Sequence, residues 1–95
     1  MLHHIVMIKY KPETPAGIAQ QFCDAVMALE GVVPEIVSVT IGRDVLKSAR
    51  SWDLALHVVL GSIDDLSNYQ THPAHQLALE HNNPWVAEVA AVDFS

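Results

Sequence analysis

The chain has 95 residues, which is enough for one domain and no more. It carries 11 acidic and 5 basic side chains, for a formal charge of −6. An acidic chain repels phosphate groups, so nucleic acids and anionic membrane surfaces are disfavoured as partners. Apolar residues make up 51% of the chain, which is rich for so small a domain and predicts a ligand cavity or an oligomer interface.

The single cysteine, Cys23, excludes an internal disulfide and fits a reducing compartment. The first four residues lack the basic start of a signal peptide, and no apolar run approaches the ~20 residues of a membrane span. We therefore expect a cytoplasmic protein without a membrane segment.

Residues 2–10 predict the first strand, because β-branched apolar residues alternate along them. Alternation places His4 and Tyr10 on one face together with apolar residues, and Ile5 and Met7 on the other face. Since both faces carry apolar side chains, we expect both to be covered, the second face by another subunit.

A helix is predicted to begin at Thr14-Pro15, where a hydroxyl N-cap precedes a proline in the first helical position. It carries one apolar stripe, formed by Ile18, Phe22, Ala25, Val26 and Leu29. Gly31 is suited to end it, because glycine tolerates the left-handed conformation.

The rest of the chain predicts three more strands and a broken helix. The strands are Ile36–Ile41, Trp52–Leu60 and about Glu88 to Phe94, and the helices run from Ser62 to about Tyr69 and from Pro73 to about His81. The order β-α-β-β-α-β is that of an α+β, ferredoxin-like domain with an antiparallel four-stranded sheet.

The segment from Tyr69 to His75 places a phenol and two imidazoles at the break between the helices. His72 occupies the cap position of the second helix, and His75 its first turn. A helix N-terminus disfavours imidazolium, so we expect His75 to be neutral at pH 7 and able to act as a general base. Tyr69 could polarise a substrate oxygen, and His4 on the first strand could add a third polar group to the same pocket.

A structural interpretation fits the same residues. His72 would then only cap a helix, His75 would bond a backbone carbonyl, and Tyr69 would be a core residue with its hydroxyl at the rim. The residues alone leave both interpretations open.

A metal site is a further alternative, with His72, His75, Glu80 and His81 as potential ligands. Pro73 spoils the regular helical spacing of the two histidines, and zinc prefers three or four convergent ligands at tighter spacings. We therefore expect no bound metal.

His57 shares a face of the third strand with Asp53, four residues earlier. The two could form a proton relay or a polar spot in a dimer interface, and alternation alone does not fix which face they occupy.

Five pieces of the sequence match one known family: residues 4–10, 41–43, 52–56, 69–75 and 92–94. With its Tyr-x-x-His-Pro-x-His run, the chain resembles the stress-responsive A/B barrel (Dabb) family along nearly its whole length. The resemblance implies a ferredoxin-like monomer that packs sheet to sheet with a second copy, forming a dimeric α/β barrel.

The resemblance implies function less directly, because the family is mixed and some members are described as heat- or stress-stable proteins. One plant member is a polyketide cyclase, which closes a linear polyketide by an aldol-type condensation without a cofactor. Its catalytic histidine and tyrosine correspond to His75 and Tyr69, and its first-strand histidine corresponds to His4. Another histidine of that pocket corresponds to Leu54 here. Cofactor-free monooxygenases share the same dimeric barrel.

Together these observations predict a homodimer of undefined, stress-linked role with a small apolar pocket on each subunit, lined by His4, Tyr69 and His75. We expect neither a cofactor nor a nucleic-acid partner, and a ligand that is small and apolar or contains a carbonyl. The alternative is a cofactor-free enzyme of the polyketide-cyclase or monooxygenase type, with His75 as general base and Tyr69 and His4 beside it.

Overall fold

The computed structural model describes all residues from 1 to 95. Its elements are β1 (Leu2–Tyr10), α1 (Ile18–Met27), β2 (Ile36–Arg43), β3 (Leu54–Leu60), α2 (Asp65–Thr71), α3 (Pro73–Asn82), a 3-10 turn (Asn83–Trp85) and β4 (Val86–Phe94). The strands form one antiparallel sheet in the order β2-β3-β1-β4. The predicted ferredoxin-like arrangement is therefore confirmed, and β1 lies inside the sheet between β3 and β4.

The core lies between the sheet and the helices. Leu2, His4 and Ile8 of β1 are buried, and in β3 every second residue from Leu54 to Leu60 is buried. The apolar stripe of α1 packs on this face, with Phe22, Cys23 and Val26 buried. The alternation read from the sequence groups these residues on one face, and the structure shows that this is the face covered by the helices.

The other face of the sheet is open and carries both apolar and imidazole side chains. Its larger members are His3, Ile5, Met7, His57, Val59, Val92 and Phe94. His57 is therefore on the face away from the helices. Its Nε2 lies 3.0 Å from Nδ1 of His3, whose ring stacks on Phe94 with 5.0 Å between the ring centroids.

The proton relay between His57 and Asp53 is not formed. The carboxylate of Asp53 accepts a hydrogen bond from the amide of Tyr10 at 2.6 Å, while the ring of His57 is paired with His3. Asp53 precedes β3, and its bond to the amide of Tyr10 holds the end of β1 in place. The carboxylate therefore stabilises the backbone of the sheet.

The first helix begins later than predicted. The hydroxyl of Thr14 donates to the carbonyl of Lys11 at 2.7 Å, which stabilises a turn and leaves Thr14 outside the helix. The helix starts at Ile18, after Gly17 with φ +98°, and the carbonyl of Gly17 accepts the amide of Gln21 at 2.9 Å. A left-handed N-cap requires glycine more than a hydroxyl, so the Thr-Pro signal was misleading here.

The end of α1 and the starts of β3 and β4 also differ by a few residues from the prediction. The helix ends at Met27, and Gly31 adopts φ +86° in the loop that follows. β3 starts at Leu54, two residues after Trp52, and β4 starts at Val86, two residues before Glu88. No helix has the length and apolar character needed to cross a membrane.

The break between α2 and α3 has the predicted geometry. The second helix begins at Asp65 rather than at the predicted Ser62. The amide of Ser62 donates to the carboxylate of Asp65 at 3.2 Å, but the N-cap is Asp64, whose side chain makes no capping bond. His72 is extended (φ −60°, ψ 134°), and its Nδ1 accepts the amide of Ala74 at 3.1 Å. Pro73 follows in the first position of α3. The break brings His75, in the first turn of α3, next to Tyr69 at the end of α2.

Candidate ligand-binding site

A cavity of about 240 Å³ lies between the sheet and the helices. Nine of its thirteen lining residues are hydrophobic. The lining consists of His4, Val6, Ile8, Phe22, Leu56, Tyr69, Gln70, His75, Leu79, Asn83, Val86, Val89 and Ala91. The three residues predicted from the sequence, His4, Tyr69 and His75, are therefore brought together at one cavity.

His75 lies in the first turn of α3, as predicted. Its Nδ1 lies 3.0 Å from the carbonyl oxygen of Gln70. A carbonyl oxygen only accepts, so Nδ1 carries the hydrogen, and in the neutral ring the lone pair is on Nε2. The bond thus selects the tautomer in which Nε2 can take up a proton.

The pKa of His75 is lowered below the ordinary value of 6.5. Burial of the ring is the main cause, the bond to Gln70 opposes it, and positive charge on His4 and His72 adds to it. The sequence predicted the same direction from the helix N-terminus, and burial of the ring lowers the pKa in that direction as well. His75 is therefore neutral at pH 7, as a general base must be.

Tyr69, at the end of α2, is buried and has one imidazole on each side. The centroid of its ring lies 4.5 Å from that of His75 and 6.0 Å from that of His4, the latter in an edge arrangement. Burial raises the pKa of Tyr69 to about 12. The phenol therefore keeps its proton at neutral pH and can donate a hydrogen bond to an oxygen atom in the cavity.

His4 is held by a carboxylate that the sequence analysis did not select. Its Nδ1 lies 2.5 Å from Oδ1 of Asp93 in β4, and the two residues are direct partners in the antiparallel pairing of β1 with β4. The carboxylate accepts the hydrogen on Nδ1, so Nε2 is the basic nitrogen of the neutral ring. The sequence did contain an indication of this contact, because the predicted topology places the start of β1 beside the end of β4.

The residues considered as metal ligands do not form a metal-binding group in this structure. Nδ1 of His72 accepts from the backbone of Ala74, and Nδ1 of His75 donates to the backbone. No group of three or more histidine, cysteine, aspartate or glutamate side chains comes close enough to hold a metal ion.

The site therefore combines groups of three kinds around an apolar cavity. A neutral imidazole has its Nε2 unprotonated, a phenol can donate, and a second imidazole is oriented by a carboxylate. Such an arrangement can accept a proton from a bound molecule and stabilise charge that develops on an oxygen atom.

Solved structures similar to this chain include dimers without an assigned function. A dimeric protein of unknown function from Bacteroides fragilis has 26% identity and a TM-score of 0.90, over 99% of this chain and 94% of that chain. A dimeric ferredoxin-like protein from Thermobifida fusca has 28% identity and a TM-score of 0.88, over 99% and 89% of the two chains.

A hydroxynitrile lyase from Passiflora edulis has the same fold, with 18% identity and a TM-score of 0.82, over 98% of this chain and 90% of that chain. No curated protein matches the sequence.

The model of one protein family, described as the stress responsive A/B barrel domain, matches residues 2–95. The chain thus belongs to the stress responsive A/B barrel (Dabb) family.

Proposed function

We propose that the cavity binds a small apolar molecule, and that His75 removes a proton from this molecule without a cofactor. The observation that carries the proposal is the convergence of His4, Tyr69 and His75 on one largely apolar cavity. Sites for small molecules combine an apolar lining with a few polar groups in the same way.

The chemistry that this arrangement suits is proton abstraction next to a carbonyl. Nε2 of His75 takes the proton as the C–H bond breaks, and the Nδ1–H bond to Gln70 stabilises the imidazolium that forms. The electron pair moves onto the carbonyl oxygen, to which Tyr69 donates. The enolate then either attacks a second carbonyl, as in the first step of an aldol-type condensation, and the alkoxide that forms takes the proton back from His75, or it is itself protonated again by His75.

We further propose that the protein is a homodimer whose two open sheet faces pack together. The open face carries exposed apolar side chains, among them Met7, Val92 and Phe94. Two similar structures above 25% identity are described as dimeric. We expect the interface to bury about 1,200 Å² in total or more. A stress-linked role of such a dimer is part of this proposal.

The ligand site is tested by a thermal-shift screen of apolar carbonyl compounds, phenols and polyketide-like acids. The screen is run on the wild type, on His75→Ala and on His81→Ala. His81 is exposed and lies on the same helix, outside the cavity, so its variant controls for the substitution itself. We expect compounds that stabilise the wild type and His81→Ala but not His75→Ala.

Turnover of these compounds then separates catalysis from binding alone. A compound that binds and is converted by the wild type, but not by His75→Ala, supports general-base catalysis. A compound that binds and is never converted supports a binding protein. Equal shifts in all three proteins would contradict a ligand site at His75.

A further inference from the structure

We infer that the cavity selects neutral molecules of about the size of a substituted benzene, and rejects carboxylates and phosphates of the same size. The inference rests on the proposed ligand site and names the class of molecule that it takes. It follows from the charges around the cavity, its volume and the positions of its polar groups.

No lysine or arginine lines the cavity. Lys9 lies over the ring of Trp52 at 4.6 Å, on the open face of the sheet, and the Nζ of Lys11 donates to a backbone carbonyl at 2.9 Å. All five lysines and arginines of the chain lie elsewhere: Lys9, Lys11, Arg43, Lys47 and Arg50.

The imidazoles do not replace the missing cation. His75 is neutral at pH 7, because burial lowers its pKa. If His4 takes a proton, the carboxylate of Asp93 at 2.5 Å balances its charge. The pairing of His4 with the carboxylate of Asp93 therefore adds no net positive charge to the cavity. A carboxylate in the cavity would lose its hydration without gaining a counter-charge, which strongly disfavours binding.

The volume sets the size of the ligand. A protein cavity of about 150 Å³ admits benzene. By simple proportion, the 240 Å³ found here corresponds to about ten non-hydrogen atoms. Apart from His4, Tyr69 and His75, the lining is apolar except for Gln70 and Asn83. The best ligand therefore has one apolar body and one neutral oxygen-bearing group, such as a carbonyl.

The inference is tested with benzamide and benzoate, which have the same shape and differ in charge, and with acetophenone as a second neutral ligand. Each is titrated at pH 7.5 into the wild-type protein, and affinities are measured from amide shifts in two-dimensional NMR spectra. We expect both neutral compounds to bind at least about 30-fold more tightly than benzoate, with the shifts centred on the cavity.

A variant tests whether the missing cation is the cause. Val89 lines the cavity, and its side chain is 59% exposed at the rim. Lysine at this position supplies a cation without being buried. We expect Val89→Lys to reduce the preference for benzamide over benzoate about tenfold. Val45→Lys makes the same charge change in a loop, at a residue that is 94% exposed, and should leave the preference unchanged.

Three results would overturn the inference. The first is a benzoate affinity within threefold of the benzamide affinity in the wild type. The second is no binding of either neutral compound at 10 mM, which is roughly the weak limit of specific binding. The third is a preference for benzamide over benzoate that is unchanged in Val89→Lys. Failure of the proposed catalysis is distinguishable from all three, because a protein that converts no substrate can still show the predicted preference for neutral ligands.

Discussion

Nδ1 of His75 donates a hydrogen bond to the carbonyl oxygen of Gln70, 3.0 Å away, across the break between α2 and α3. This contact has two consequences. It holds the first turn of α3 against the end of α2, and it leaves Nε2 as the basic nitrogen of the neutral ring. The structural and the catalytic interpretation of His75 are therefore compatible, because the bond that fixes the ring also prepares the base.

The lowered pKa of His75 predicts how stability depends on pH. In the folded protein the ring resists protonation, whereas in the unfolded chain it binds a proton near pH 6.5. Unfolding thus takes up protons at acidic pH, and the free energy of unfolding falls as the pH drops below 6.5. The contribution of His75 is fully present above that pH.

Chemical unfolding of the wild type and of His75→Gln between pH 5 and 8, at one protein concentration, measures this effect. Glutamine keeps a donor for the carbonyl of Gln70 but does not titrate in this range. We expect the wild type to lose stability on acidification more steeply than the variant. Parallel curves for the two proteins would show that burial does not shift the titration of His75.

Removal of the hydroxyl of Tyr69 should affect ligand binding more than stability. The ring makes the contacts with His4 and His75, and Tyr69→Phe retains it. We expect the free energy of unfolding to change by less than about 1 kcal/mol, and the affinity for a carbonyl ligand to fall about fivefold. Tyr69→Ala, which also removes the buried ring, should cost about 3 to 5 kcal/mol. A carbonyl ligand that binds Tyr69→Phe as well as the wild type would contradict a donor role.

Asp93 should stabilise the protein through His4. Alanine at position 93 leaves Nδ1 of a buried imidazole without its acceptor. We expect Asp93→Ala to lower the free energy of unfolding by about 1 to 2 kcal/mol, and Asp93→Asn, which keeps an acceptor oxygen, to lower it less. Urea unfolding at pH 7.5 measures both, with Glu13→Ala at an exposed position as the control. Equal costs for Asp93→Ala and Glu13→Ala would show that the contact contributes nothing.

A charge on the open face of the sheet should dissociate the proposed dimer. Val92 is 61% exposed and pairs with Ile5, which places it within this face. We expect Val92→Asp to be monomeric at micromolar concentration, because an unpaired carboxylate would be buried between the two sheets. Leu77→Asp changes a similarly exposed residue, 56%, on α3 and should remain dimeric. Sedimentation velocity distinguishes the two states, and a dimeric Val92→Asp would place the interface elsewhere.

The fold and most of the site could be predicted from the sequence because local patterns determine them. Alternation along β1 placed His4 on the same face as Val6 and Ile8, and His72-Pro73 marked the start of α3. In the structure, His4, Tyr69 and His75 line the same cavity. The start of α1 was wrong because Thr14 and Pro15 form a turn, while the helix depends on the left-handed conformation of Gly17.

What the sequence did not supply depends on contacts between distant elements. Asp93 is 89 residues from His4, and only the pairing of β1 with β4 reveals their contact. The main cause of the pKa shift of His75 is also non-local, since it is burial of the ring. The face occupied by His57 required the strand register, which alternation alone left undetermined.

The most direct test of the central claim is proton exchange catalysed at His75. Phenylacetone is neutral, contains a carbonyl and has a size close to that inferred for the ligand. It is incubated in heavy water with the wild type, His75→Ala or His81→Ala, and the loss of the protons next to its carbonyl is followed by proton NMR. We predict faster exchange with the wild type and His81→Ala than with His75→Ala. Equal rates for all three proteins would contradict the assignment of His75 as a general base.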